Sequence, residues 1–248
     1  MPFTPSHAAA VLPFLRTPLP ASALVAGSIA PDLPFYLPFT LPWPTHTAIA
    51  VVSVDVLLGL SAWALWHGLL AEPAVRAAPA AVRARLVGLH LGLGGRLATP
   101  ALVGWTLLAL AVGAGTHVLW DEFTHPRRWG PEVLPVLAEH WGPLPGVRWL
   151  QYGTSLLGGL VLLGWALRWW LRAPVHPSGA PGRRWPWVLL SSVACLVGTA
   201  AALPAPDLGQ AVYDAATRGG GSALVVAIVL AAVWQVRHRR REQPVQRA

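Results

Sequence analysis

The run THVLWDEFTH, Thr116 to His125, is where this sequence could do chemistry. On a helix His117, Asp121 and His125 recur every four residues, drifting only about 40° per step, so they form one polar ribbon on an otherwise apolar face. Imidazole and carboxylate are the donors that hold borderline divalent ions, and adjacent members of the ribbon can chelate one. His117 and His125 stand about 12 Å apart along the axis and cannot share an ion directly. Two ions bridged by Asp121 would engage all three. The bland alternative is a solvated helix end at the headgroup level, with His125 closing the helix before Pro126.

Other residues extend the ribbon. Thr45, His46 and Thr47 open the first long apolar stretch, with Thr45 as its expected N-cap. In an antiparallel pair the start of one span lies beside the end of the next, which brings His46 toward Asp121 and His125. Upstream, Thr4, Pro5, Ser6, His7 reads as N-cap, proline at N1 and a first-turn histidine, and Asp32 follows in SIAPDLP. The candidate metal ligands are therefore His7, Asp32, His46, His117, Asp121 and His125. Asp121 is also a candidate catalytic group with Glu122, a possible general base. Arg127 and Arg128 just beyond them are candidates for holding a phosphate. Cys195 is the single cysteine, which excludes disulfides and cysteine-built zinc sites. No GxSxG elbow is present, and Gly92, Gly94 and Gly95 lack the last glycine of a dinucleotide loop, since Leu97 stands there.

The elements that must position these groups are membrane helices. Of 248 residues 54% are hydrophobic and 11% charged, against about 25% charged in a soluble domain; mean hydropathy is +0.52. Disorder is excluded, and the N-terminus is a poor signal peptide, because a single arginine, Arg16, precedes a short apolar run and cleavage after GSIA would leave Pro31 first. Stretches near Thr47 to Leu70, Ala101 to Trp120, Tyr152 to Leu171, Trp185 to Leu203 and, weakest, Gly219 to Val236 approach the roughly 20 residues that a span needs. Leu19 to Ala30, fenced by prolines, reads as a half-helix. Asp55 would lie nine residues into the first span, about 13 Å deep.

All 18 basic residues are arginine, and the formal charge is +8. Spread between apolar spans, this excess reports topology rather than nucleic-acid binding. The tail with Arg237, Arg239, Arg240 and Arg241 and the linkers holding Arg76, Arg83, Arg85 and Arg96 and Arg168, Arg172, Arg183 and Arg184 fall on one side of five spans, expected to be cytoplasmic. The first 45 residues, Phe123 to Gln151 and Pro204 to Arg218 then face outward, and all six candidate ligands share that side. His67, His90, His176 and His238 fall on the other, as structural or exposed residues. Seven of the 14 tryptophans, Trp43 and Trp120 among them, sit at span ends, where indoles settle at the headgroups. The expected fold is all-α: a polytopic membrane protein of about five transmembrane helices plus the half-helix. It forms one domain over 1–248, with an extracytoplasmic segment 1–45, a bundle 46–236 and a basic cytoplasmic tail 237–248.

MPFTPSHAAAVLPF, ALVAGSIAPDLPFYL, the THT triplet and GTHVLWDEFTH together resemble a family of uncharacterised bacterial integral-membrane proteins related to predicted membrane-bound metal-dependent hydrolases. The order His, Asp, His, HxxxD, His is also similar to that of zinc-dependent phospholipase C. By that likeness His7, Asp32, His46, His117, Asp121 and His125 would be ligands, with Asp121 bridging, in a cluster that hydrolyses phosphodiesters. That family's later HxxxE pair has no counterpart, since His140 is followed by Leu144.

The expected function is metal-dependent hydrolysis of a lipid-linked or amphiphilic substrate, a phosphoester first, at the extracytoplasmic face of a bacterial cell membrane. The cofactor would be one or two divalent ions, zinc ahead of iron or manganese, and the partners membrane lipid and the amphiphilic substrate, with no nucleic acid. The rivals are a metal-dependent membrane oxidase or lipid cyclase, and a non-enzymatic metal-binding membrane protein. Zinc performs no redox chemistry, so metal identity separates the first rival. Topology is the earliest check. A reporter fused after Ala248 should be cytoplasmic and one inserted near Gly142 extracytoplasmic; the same side for both would undo the span count and the one-sidedness of the ligands.

Overall fold

The computed structural model describes residues 4–176 and 182–242; the first three residues of MPFT and the end of the basic tail, 243–248, lie outside them. Among the described residues the protein is almost wholly helical, with five helices long and apolar enough to cross a membrane: Val54–Ala77, Pro100–Thr124, Gly146–Arg172, Trp185–Ala202 and Leu208–His238. It is a multi-pass membrane fold, organised as two compact units.

The first unit holds the N-terminal segment, α1, α5, α6, a small hairpin and α7. Thr4–Arg16 is a 3-10 helix, followed by α1, Ala21–Ile29. Pro20 precedes α1 in extended conformation and Pro31 follows it, so the helix stops at nine residues, as the proline fence predicts. A second 3-10 turn, Ala30–Tyr36, carries Asp32. Helix α5, Pro100–Thr124, has Pro100 at its first turn and Thr99 as N-cap, its hydroxyl accepting the Leu102 amide at 3.3 Å. It ends where His125 turns extended ahead of Pro126.

Helices α1 and α5 meet backbone to backbone. A Cβ on Gly27 would run into the Leu110 carbonyl, and one on Gly113 into the Leu24 carbonyl, with the Ser28 amide 2.7 Å away. In a membrane, where apolar burial drives helix association little, such small-residue contacts supply the packing. Helix α7, Gly146–Arg172, makes a similar approach: a Cβ on Gly158 would lie 2.9 Å from the Ser6 carbonyl, so α7 holds the 3-10 segment down. Between α5 and α7 lie α6, Trp129–Val133, and a two-residue antiparallel hairpin, β1 His140–Trp141 on β2 Leu144–Pro145.

Two corrections to the expected spans belong to polar side chains. The first span starts seven residues late: Thr47 caps a 3-10 turn at Ala50–Val52, its hydroxyl accepting the Ala50 amide at 3.1 Å, and α2, Val54–Leu65, begins only after Ser53. Thr45 caps no helix; its hydroxyl bonds the His46 ring at 2.9 Å. Asp55 therefore sits in the first turn of α2, not at mid-span. The fifth helix, α9, Leu208–Glu242, starts eleven residues earlier than Gly219, because the Asp207 carboxylate accepts the Gln210 amide at 2.9 Å and Gln210 bonds Asp214 one turn on. Much of Pro204 to Arg218 is thus helix rather than loop.

The second unit contains α3, α4, α8 and α9. A π-turn, Trp66–Leu70, joins α2 to α3, Ala71–Ala77, and buries His67. Pro73 has no N–H for the Leu69 carbonyl four residues back. Gln235 of α9 supplies the donor, its Nε2 reaching the Gly68 carbonyl at 3.3 Å and that of Leu69 at 3.4 Å. Helix α4 is Ala80–Leu86, and α8, Trp185–Ala202, packs against α9 through Gly198 and Gly219.

The α1–α5 contact yields a stability test. Gly27→Leu or Gly113→Leu should lower thermal stability of the purified protein by about 2–3 kcal/mol, whereas Gly159→Leu, whose added Cβ meets nothing within 4 Å, should change it little. Equal tolerance at all three positions would show that the two helices do not approach this closely.

Candidate metal centre

Three elements converge on one point. Asp32 comes from the turn after α1, His46 from the loop before α2, and His117 and Asp121 from α5. All four are buried, and one ligand atom from each lies within 4.8 Å of the others. The group could hold a metal ion.

The geometry follows from the backbone contact below it. The His117 Nδ1–H donates to the Ser28 carbonyl at 2.7 Å, an acceptor left over at the C-terminal end of α1. This bond commits Nδ1, so Nε2 is the nitrogen turned toward the carboxylates. Nε2 lies 3.4 Å from Asp121 Oδ2 and 3.6 Å from Asp32 Oδ1. His46 Nε2 stands 3.1 Å from Asp32 Oδ1 and 3.5 Å from Asp121 Oδ2. Asp32 Oδ2 accepts from the Thr4 hydroxyl at 2.6 Å. His46 adopts φ of 60°, a left-handed conformation uncommon outside glycine; the Arg128 guanidinium holds it there, donating to the His46 carbonyl at 3.0 Å.

His7 and His125 complete the set. His7 is fully buried and stacks on His117 with ring centroids 3.8 Å apart, and its Nε2 is 3.5 Å from Asp121 Oδ1. Burial, with His117 beside it, pushes the His7 imidazole down to about 4, so the ring is neutral, with a lone pair to give, at physiological pH. His125 Nδ1 is 3.4 Å from Asp121 Oδ1, its side chain 22% exposed at the rim; burial lowers its basicity even with Asp121 adjacent. For Asp32 burial works the other way, yet the His117 and His46 imidazoles and the Thr4 hydroxyl hold the carboxyl well below the usual carboxylate range.

These donors fit a metal on two counts. Among the described residues, His7 Nδ1 and Nε2, His117 Nε2 and Asp121 Oδ1 are buried with no hydrogen-bond partner, a costly state that an ion would relieve. The donor separations of 3.1–3.6 Å also match the roughly 3.4 Å edge of a tetrahedron with bonds of about 2.1 Å.

Glu122 spends one oxygen on Arg128 Nη1 at 3.2 Å and the other on the Trp129 amide at 2.9 Å. Arg128 divides between Glu122 and the His46 carbonyl, and Arg127 is exposed with φ of 60°. Asp55 is fully buried, and neither of its oxygens meets a donor at bonding distance. Glu139 and His140 are exposed near the hairpin. His67 is buried, and His238 stacks on Trp234 rather than standing free on a tail.

Sequence reasoning missed Gln151 and the role of Thr4. Gln151 is fully buried; its Oε1 accepts from Arg148 at 2.7 Å, and its amide nitrogen lies 3.3 Å from His125 Nε2, orienting that ring. A lone amide beside an arginine at the start of an apolar span was the available signal.

Residues 1–236 match the family described as a domain of unknown function, DUF4184, and the chain belongs to that family. No curated protein and no solved structure matches it.

Metal analysis tests the centre directly. Purified protein should carry divalent metal by elemental analysis, and Asp121→Asn or His117→Ala should lose it while remaining helical by circular dichroism. Thr4→Val, which only frees Asp32 to turn, should weaken affinity by about 10- to 100-fold. Metal retained in full by both ligand variants would refute the assignment.

Proposed function

We propose that this family member is a membrane-embedded, metal-dependent hydrolase of a lipid-linked or amphiphilic phosphoester, working at the extracytoplasmic face with zinc as the first candidate metal. The observation that carries this reading is the division of Asp121. Its Oδ2 faces His117 and His46, the imidazoles that Asp32 also approaches, while its Oδ1 faces His7 and His125. One carboxylate between two donor sets is what a pair of ions about 3.5–4 Å apart requires.

Divalent ions held by His7, Asp32, His46, His117, Asp121 and His125 would supply a water of pKa lowered toward about 7 and positive charge for the phosphoryl oxygens. The rest falls to the chain. Ser28 keeps His117 Nε2 turned inward, and Thr4 turns Asp32. Arg128 and Glu122, engaged with each other, act as positioning residues for the His46 backbone and the start of α6. Arg127, exposed beside the rim, is the guanidinium available to a substrate phosphate. In the reaction water adds to phosphorus, the P–O ester bond breaks, and the released alkoxide takes the proton.

An amphiphilic substrate fits the surroundings. Ile49 is 79% exposed, Val52 71% and Leu119 60%, so the ligand-bearing loop and helix present apolar surface on both flanks of the polar centre. A lipid can keep its tails against that surface while its phosphate reaches His125 and Arg127.

The test is turnover. Protein loaded in turn with zinc, manganese and ferrous iron should release phosphate or a phosphorylated headgroup from at least one of phosphatidic acid, phosphatidylglycerol and a polyprenyl diphosphate. Asp121→Asn should abolish both metal and rate. Arg127→Ala should keep the metal and raise KM about tenfold, the loss of one charge-assisted contact. Full metal with no release from any of the three would leave a metal-binding membrane protein and sink the hydrolase reading.

A further inference from the structure

The second unit contains a cavity of about 590 Å³ between α3, α8 and α9, within the range that holds a small amphiphile. Its walls are apolar: Trp66 and Leu70 of the π-turn, Leu190 of α8, and Leu230 and Trp234 of α9. Arg76, Arg83 and Arg183 also line it. From Ala227 to His238, both lining residues, α9 rises about 16 Å, so the cavity is a slot elongated along that helix.

The arginines are arranged rather than scattered. Arg76 is held by Glu72 at 2.9 Å and lies 5.4 Å over the Trp234 ring, whose other contact is the stacked His238 at 4.8 Å. Arg83 donates to the Arg76 carbonyl at 3.3 Å, which ties its side chain to the last turn of α3. Arg183 is exposed. Three guanidiniums thus border an apolar slot, and the neighbouring Glu72 balances one of them. Topology alone asks only for positive charge near the membrane surface; it does not ask for an apolar slot bordered by oriented guanidiniums. Basic pockets between transmembrane helices take lipid headgroups, and a guanidinium matches a phosphate in shape as well as charge.

From this we infer that the slot is a binding site for an anionic phospholipid, its phosphate held by Arg76, Arg83 and Arg183 and an acyl chain lying along Leu70, Leu230 and Trp234. The site is independent of the metal centre, since every lining residue belongs to the second unit.

The probes are phosphatidylglycerol, phosphatidylcholine with the same chains, and glycerol 1-phosphate, each added to purified full-length protein in a neutral detergent and read by native mass spectrometry and thermal shift. Phosphatidylglycerol should bind and raise the melting temperature, phosphatidylcholine should bind about tenfold more weakly, and glycerol 1-phosphate should do neither. Arg183→Gln, at an exposed position, should remove about tenfold of the phosphatidylglycerol affinity and leave metal content unchanged. Leu230→Trp, which fills the slot, should abolish the phosphatidylglycerol shift. Equal binding of the two lipids, a preference that survives both Arg83→Gln and Arg183→Gln, or binding of glycerol 1-phosphate alone would each overturn the inference. So would a change of oligomeric state in Leu230→Trp with no effect on lipid, which would assign the slot to contact between copies of this chain.

Discussion

The bond from His117 Nδ1 to the Ser28 carbonyl is the interaction on which the first unit depends. It exists because Gly27 and Gly113 let α1 and α5 touch at the backbone, and it does two things at once. It gives the Ser28 carbonyl, in the last turn of a nine-residue helix, a buried donor, and it fixes which nitrogen of His117 faces the carboxylates. Asp32 follows α1 within four residues of Ser28, so the contact that sets His117 also delivers the carboxylate opposite it.

Around that bond the chain gathers groups that hydrocarbon tolerates poorly. Two aspartates and three histidines are nearly or wholly withdrawn from solvent, and burying such groups without mutual compensation costs several kcal/mol each. Direct hydrogen bonding relieves only part of that cost, because the His7 ring and one oxygen of Asp121 find no hydrogen-bond partner among the described residues. Part of the compensation is internal, with His46 Nε2 bonding Asp32 Oδ1 at 3.1 Å, and further bonds come from outside the cluster: Thr4 on Asp32, Thr45 on His46, Arg128 on the His46 backbone, and Gln151 on His125. Such outer partners orient donors toward a centre instead of quenching them.

The sequence was legible where helical periodicity applies. The i, i+4, i+8 ribbon along α5 and the gathering of His7, Asp32 and His46 at the C-terminal end of that helix needed only a helical repeat and an antiparallel chain, and the structure brings these groups together. The helix starts were less legible, because single side-chain bonds decide them. Thr47 rather than Thr45 makes the cap, which moves Asp55 from mid-span to a first turn, and Asp207 begins α9 well before the strongly apolar run. Glu122 and Arg128 looked like free chemistry beside a metal ribbon, yet they bond each other and the backbone, since a six-residue separation across the bend at His125 and Pro126 puts them face to face. Gln151 offered only a lone amide three residues after Arg148, with no repeat to link it to His125, 26 residues away.

The separation of the Ser28 and His117 partners has a consequence for how the protein is made. They are 89 residues apart in the chain, and synthesis at about 5–20 residues per second puts roughly 5–20 s between their appearances. During that interval His7, Asp32 and His46 are already translated, while the helix that must accompany them into the apolar interior is not. The N-terminal segment therefore has to wait in a wet or interfacial environment, and burial of the donors is a late step gated by the arrival of α5 and then α7. A centre divided in this way is assembled post-insertion, when its donors can meet all at once.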